Sequence, residues 1–300
     1  MKIKKLYIIG WTDTKAGKVP QVSTEWSGAD KCETPPILRG KEYDEPSVFT
    51  PENLLREARR QKSLPAENVP EICLLDPDGD IVNNLRAAGK AQLNPDWACY
   101  HTEMYIFKSG KIELGIVGCA VGSSFAVLVA EQLFASGCKL LISMTSAGQI
   151  LPIKTPPYFV LIEKALRDEG TSYHYLPPED FSAIDEQLRG ILSEAFSQSS
   201  VSVDRGITWT TDAPFRETAA SIEALSSRGI LAVEMEAAAL YAFSRARGKQ
   251  VVCFAHITNQ MGINRGDFEK GIANGTRDAL RIILIAARAW KARRSRSLFI

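Results

Sequence analysis

The strongest constraint on this chain is a rhythm. Short apolar runs of strand length recur along it, and most are followed within a few residues by a segment of helical pattern. EICLL (71–75) precedes the turn DPDGD and a helix near 80–88. KIELGIVGCA (111–120) precedes a helix that starts at Ser123 or Ser124, runs to Ser136 and is closed by Gly137. KLLISM (139–144) leads into TSAG, and YFVLI, SVSVDRGITWT, ILAVEM and QVVCFAHIT supply further strands. Helices at about 182–197, 235–247 and 268–292 fill the gaps. Alternation with short links predicts an α/β domain, with a central mixed, mainly parallel sheet flanked by helices.

Composition removes several alternatives. Of 300 residues, 45% are hydrophobic and 24% charged, which excludes wholesale disorder. Thirty-six basic residues against thirty-five acidic ones leave +1, so nothing global draws the chain to nucleic acid or acidic lipid. No apolar run approaches the roughly 18 residues of a membrane helix, and MKIKKLYIIGWTD reads as a strand rather than a signal peptide. The six cysteines are scattered without a CxxC pair, which argues against structural zinc and for reduced thiols in a cytoplasmic protein. Residues 1–49 are expected to form an irregular extension, and 50–300 a single domain. That domain starts at Thr50-Pro51-Glu52, a hydroxyl N-cap, a first-turn proline and an acid at the positive helix end. The basic ARAWKARRSRS reads as the solvated end of the last helix, not a nucleic-acid arm.

Three segments carry candidate chemistry. Gly115, Gly118 and Gly122 punctuate a strand-to-helix turn, which either packs a helix closely on the sheet or presents N–H groups to an anion. Thr145-Ser146-Ala147-Gly148 follows a buried strand, and is either a plain turn or ligand-binding hydroxyls at a strand end. In Val233-Glu234-Met235-Glu236-Ala237-Ala238-Ala239, two acids flank a methionine between an apolar strand and an apolar helix. Acids seldom enter such a setting unless paired or functional. A carboxylate there suits a sugar diol and the methionine an apolar ring face, unless both acids merely serve the helix start.

GILAVEMEAAALYAFSRARG, RGITWTTDAPFRE, CLLDPDGD, GCAVGSS, ISMTSAGQ and FTPENLLREARRQK occur in the order of related segments in a known family. Over about residues 50–290 the chain resembles the nucleoside phosphorylase superfamily, which holds uridine phosphorylase, hexameric purine nucleoside phosphorylase and methylthioadenosine nucleosidase. The resemblance implies a sheet distorted toward a barrel. It also implies that Glu236 holds the ribose hydroxyls with Met235 under the sugar, and that Trp209, Phe215, Arg216, Val233 and Glu234 frame the base. Asp212 would order its loop. Ser146, Ser143, Gly122 and Gly79 would line the phosphate or water site. Asn259 would act in catalysis with Glu236 and Ser146, while His101 and Tyr105 fall where a neighbouring subunit contributes. A homo-oligomer, a dimer or a trimer of dimers, follows, with a nucleoside as ligand. No metal or organic cofactor is implied; inorganic phosphate would be a co-substrate.

At position 259 an aspartate could protonate a departing adenine, whereas an amide can only hydrogen-bond a carbonyl or ring nitrogen. Asn259 therefore points to a uracil or 6-oxopurine leaving group, unless it caps a turn. Phosphorylases of this kind hold phosphate with arginines. Here Leu75 replaces the glycine of one loop, Gly79 or Asp80 stands at its arginine, and Ser143 stands at another. Three readings follow: a phosphorylase using relocated cations such as Arg86 or Arg216, a nucleosidase using water, and a nucleoside-binding protein without turnover.

Overall fold

The computed structural model describes residues 35–261 and 266–297, with side chains through residue 295. Residues 1–34, most of the expected extension, lie outside the described residues. From 35 to 49 the only regular element is the 3-10 turn Pro36–Leu38. The elements that follow are α1 (Pro51–Lys62), β1 (Ile72–Asp76), α2 (Asp80–Ala87), β2 (Ala91–Leu93), β3 (Tyr105–Ser109), β4 (Ile112–Gly118), α3 (Ser123–Ala135), β5 (Leu140–Gln149), β6 (Tyr158–Asp168), β7 (Phe181–Ala183), α4 (Glu186–Ser197), β8 (Asp204–Thr211), α5 (Ala219–Ser227), β9 (Ile230–Glu234), α6 (Ala237–Arg247), β10 (Gln250–Asn259) and α7 (Thr276–Ser297). Helix α1 begins as read, with the Thr50 hydroxyl accepting the Asn53 N–H at 3.2 Å.

Three helices start later than their apolar patterns suggest, each for a local reason. Asp185 caps α4 by accepting the Leu188 N–H, and Phe181–Ala183 pairs with β6 as a strand instead. Helix α6 waits until Ala237 because the Glu234 carboxylate takes the N–H groups of Glu236 and Ala237. Before α7, Gly271, Ala273, Asn274 and Gly275 all have positive φ, which α-helix excludes. Strands β2, β3 and β7 and helix α5 were not read from sequence; each is short or largely solvent-facing.

The sheet runs β10-β6-β8-β9-β5-β1-β4-β3-β2, and β10 also pairs with β5. That extra pairing closes five strands into a barrel and leaves β1, β4, β3 and β2 as a flange. The sheet is mixed, as expected, but evenly so. Five pairings are parallel, through the core strands β1, β5, β8 and β10, and five are antiparallel. The antiparallel share comes from the β2–β3–β4 meander and from strands that return against the barrel. Strand β1 is wholly buried and β10 almost so, the signature of strands covered on both faces. Helix α3 packs on α6, while α2 and α4 pack on α7. No helix among the described residues is long and apolar enough to cross a membrane.

Tyr241 of α6 ties helix to barrel. Its hydroxyl donates to the Ile162 carbonyl at 2.5 Å and accepts the Cys253 N–H at 3.0 Å, in complete burial. Removing it strands two buried backbone groups. Tyr241→Phe should cost about 1–3 kcal/mol, read as a lower urea midpoint at unchanged m-value.

Candidate active site

The carboxyl ends of β1, β4 and β10 and the second half of β5 meet the β9–α6 junction, and a set of buried polar groups gathers there. At the junction Glu234 is almost fully buried. It accepts from Thr210 Oγ1 at 2.5 Å, Thr208 Oγ1 at 3.1 Å, and the N–H groups of Glu236 and Ala237 at 2.7 Å each. Burial pushes its pKa up, and these four donors work against that rise. With its acceptors occupied, Glu234 holds the start of α6.

Glu236 is 1% exposed. One oxygen accepts the Gly122 N–H at 2.7 Å, at the start of α3, and the other accepts the Thr145 hydroxyl at 2.9 Å, within β5. Burial, then the charge of Glu234, raises its pKa to about 8. Met235 is half-buried, and its carbonyl accepts the Ser123 hydroxyl at 2.7 Å. A single glutamate thus joins three elements and keeps a carboxyl beside a partly open methionine.

Ser146 leaves β5 on the face opposite Thr145. Its N–H and hydroxyl both donate to Asp78, at 3.1 and 3.0 Å. Lys270 reaches Asp80 at 2.5 Å and Asp78 at 3.3 Å, and Asn274 donates to Asp80. Burial lowers the Lys270 pKa, but these two carboxylates reverse the effect and leave it raised. Next to Ser146 across the β5–β10 pair stands His256, stacked on Phe159 at 4.3 Å. Burial and then Lys270 lower its pKa to about 4, so the ring is neutral. Gly275 is required here, because a Cβ would lie 2.2 Å from the imidazole. Asp76, just before these loops, accepts the Val82 N–H, and burial raises its carboxyl to about 7, the Asp78 and Asp80 charges adding to the rise.

Other residues selected from sequence fall as follows. Gly122 spends its N–H on Glu236, so it is not free for phosphate. The expected turn Thr145–Gly148 is part of β5, which continues to Gln149; Ser143 lies in the same strand three residues before Ser146, buried with its hydroxyl unpartnered. Gly79, at φ 78, caps α2 beside Asp78, and a Cβ there would meet Cys119 Sγ at 2.8 Å. Trp209 donates to Asp168 at 2.9 Å and packs with Val233, Ile150, Leu225 and Ile230 in a small apolar cluster. Phe215 is 99% exposed on a 3-10 turn, and Arg216 on the same turn is exposed, its N–H donating to the Ala213 carbonyl. Asp212 accepts the Gly170 N–H and so anchors its loop.

Asn259 is engaged locally. Its amide donates to Thr258 Oγ1, and its oxygen accepts the Met261 N–H at 2.9 Å, a turn cap that leaves one amide hydrogen and one lone pair. Met261, at φ 65, packs with the Trp209–Val233 cluster. Arg86 stacks on Tyr105, whose hydroxyl donates to Glu103, and His101 is exposed, so none of these reaches Ser146. Lys270 and His256 were missed, whereas Thr145 lay in a segment selected for its hydroxyls. The stretch after HITNQ offered no distinct signal for Lys270, since it holds two basic residues, Arg265 and Lys270, beside two acids.

Among the described residues no group of three or more His, Cys, Asp or Glu side chains is arranged to hold a metal. A cavity of about 760 Å³ opens elsewhere, with Phe49, Ser124, Leu128, His174 and Arg247 on its walls. Neither Glu236, Ser146 nor Asn259 lines it, and the buried polar network marks the strand-end site as the chemically equipped one.

A strand order closed into this barrel, with a V-E-M-E-A-A junction at its rim, defines a class. A sequence profile of the phosphorylase superfamily matches residues 71–288. The chain belongs to that superfamily. It is 27% identical over 184 residues to a uridine phosphorylase of Thermococcus kodakarensis, a match covering 54% of this chain and 66%, just under two thirds, of that protein. The fold is shared with a uridine phosphorylase of Vibrio fischeri solved with 6-hydroxy-1-naphthoic acid (TM-score 0.61, 18% identity, 77% of this chain and 93% of that one). It is shared too with a purine nucleoside phosphorylase of Toxoplasma gondii in complex with immucillin-H (TM-score 0.64, 16% identity, 76% and 93%).

Glu234→Gln would point an amide at donors that need an acceptor. It should cost about 1.5–3 kcal/mol and shift the main-chain amide NMR signals of Glu236 and Ala237.

Proposed function

We propose that the chain cleaves the N-glycosidic bond of a nucleoside, with a uracil-like or 6-oxopurine base as leaving group. The observation that carries this reading is the buried Glu236 carboxyl, fixed by the Gly122 N–H and Thr145 hydroxyl beside half-buried Met235. A carboxylate in that setting accepts two sugar hydroxyls and lies close to positive charge developing on the ring as the bond breaks. The remaining amide hydrogen of Asn259 can meet charge gathering on a carbonyl of the departing base.

Either of two acceptors would complete such a reaction. Inorganic phosphate, giving a base and ribose 1-phosphate, is supported by the names of the relatives. Water, giving free ribose, is supported by Asp78, whose carboxylate already takes both donors of Ser146. No metal or organic cofactor enters either scheme. A cytoplasmic setting and a homo-oligomer, a dimer or a trimer of dimers, belong to the same reading and rest on the resemblance.

Product chromatography with a panel of purine and pyrimidine nucleosides tests the reading. Base release by the wild-type protein is expected. In Glu236→Ala, losing two hydroxyl–carboxylate bonds should lower kcat/KM by roughly 100-fold or more. Wild-type kinetics in the variant, or no base from any nucleoside, would defeat the proposal.

A further inference from the structure

We infer that Asp78 selects the acceptor by acting as a built-in anion on Ser146, so that the site takes a neutral nucleophile, water, and refuses phosphate. The inference rests on the nucleoside reading of the Glu236 site and adds to it the residue that decides the reaction. Its basis is occupancy and charge. The Ser146 N–H and hydroxyl are the pair of donors a bound oxyanion would use at this strand end, and Asp78 holds both, at 3.1 and 3.0 Å.

The surroundings make displacement unfavourable. Among the described residues Lys270 is the cation bonded to this cluster, shared between Asp80 at 2.5 Å and Asp78 at 3.3 Å. Asp76 feels both of those carboxylates, and Glu236 feels Asp78. An incoming phosphate would have to evict Asp78, enter beside like charges, and share one ammonium already committed to Asp80. A water molecule meets none of these costs, and a carboxylate anchored on Ser146 retains a lone pair that can orient it. In the reaction that follows, the water oxygen bonds the sugar carbon as the bond to the base breaks. One water proton passes to bulk solvent, and the electron pair of the broken bond leaves with the base, which takes a proton from solvent in return.

Neutralising or shortening this side chain should therefore create an anion site. Asp78→Asn removes the charge. Asp78→Ser also clears the space and leaves the Ser146 N–H, the Ser146 hydroxyl and Lys270 facing one another. Titration with inorganic phosphate, followed by calorimetry and phosphorus NMR, needs no turnover and so separates this claim from the nucleoside reading. Wild-type protein should give no saturable phosphate binding at millimolar concentrations, and the variants should bind at least tenfold more tightly. Any base released by wild type should appear with free sugar at a rate indifferent to phosphate. Saturable binding by wild type overturns the inference, as do folded variants that gain no affinity. Should neither variant fold, the wild-type titration alone decides. Base release that requires phosphate also overturns it while leaving the nucleoside reading intact; absence of any base release removes that reading instead.

Discussion

Everything at the candidate site hangs on the carboxylate of Glu234. A charge at the end of an apolar strand is tolerable only if its acceptors are filled, and here two threonine hydroxyls of β8 and two N–H groups of α6 fill them. The same four bonds fix where β9 ends and α6 begins. They set Glu236 at the junction, from which it spans to Gly122 and Thr145. Two glutamates one residue apart thereby divide the work: Glu234 builds the corner and Glu236 offers a carboxyl at it.

The second constraint is electrostatic. Asp76, Asp78, Asp80, Glu234 and Glu236 stand near one another, and Lys270 is the cation bonded to this group. Burial first, and then the neighbouring negative charge, raises the Asp76 and Glu236 pKa values, while burial and the nearby ammonium keep His256 neutral. The network also gives the segment before α7 its function. Lys270 and Asn274 reach back 190 and 194 residues to Asp80, and the left-handed turn at Gly275 fits against the His256 ring.

The sequence made the fold class readable because alternation is local: an apolar run, a turn and a helix are each visible within about fifteen residues. Barrel closure was not readable from the residues themselves. It depends on β10 meeting β5 across about a hundred residues, and entered only through the family resemblance. Within the site, Glu236 and Ser146 were legible because they sit in compact motifs at strand ends. The division of labour between Glu234 and Glu236 was not, since it turns on which carboxylate the β8 threonines reach. Phe215 and Arg216 were selected from a segment whose order matched, yet a 3-10 turn carries both into solvent. Lys270 escaped because an ion pair between distant loops leaves no periodic trace.

The most direct test of the account is the ionisation of Glu236. Infrared difference spectroscopy of the wild-type protein against Glu236→Gln isolates this one carboxyl stretch across a pH titration, with and without uridine. The account predicts a carboxyl that ionises near pH 8 in the free protein. It also predicts ionisation at lower pH once sugar hydroxyls donate to it. A carboxyl that ionises in the ordinary range, or whose titration uridine and inosine both leave unmoved, would contradict its role as the acceptor of a nucleoside's diol.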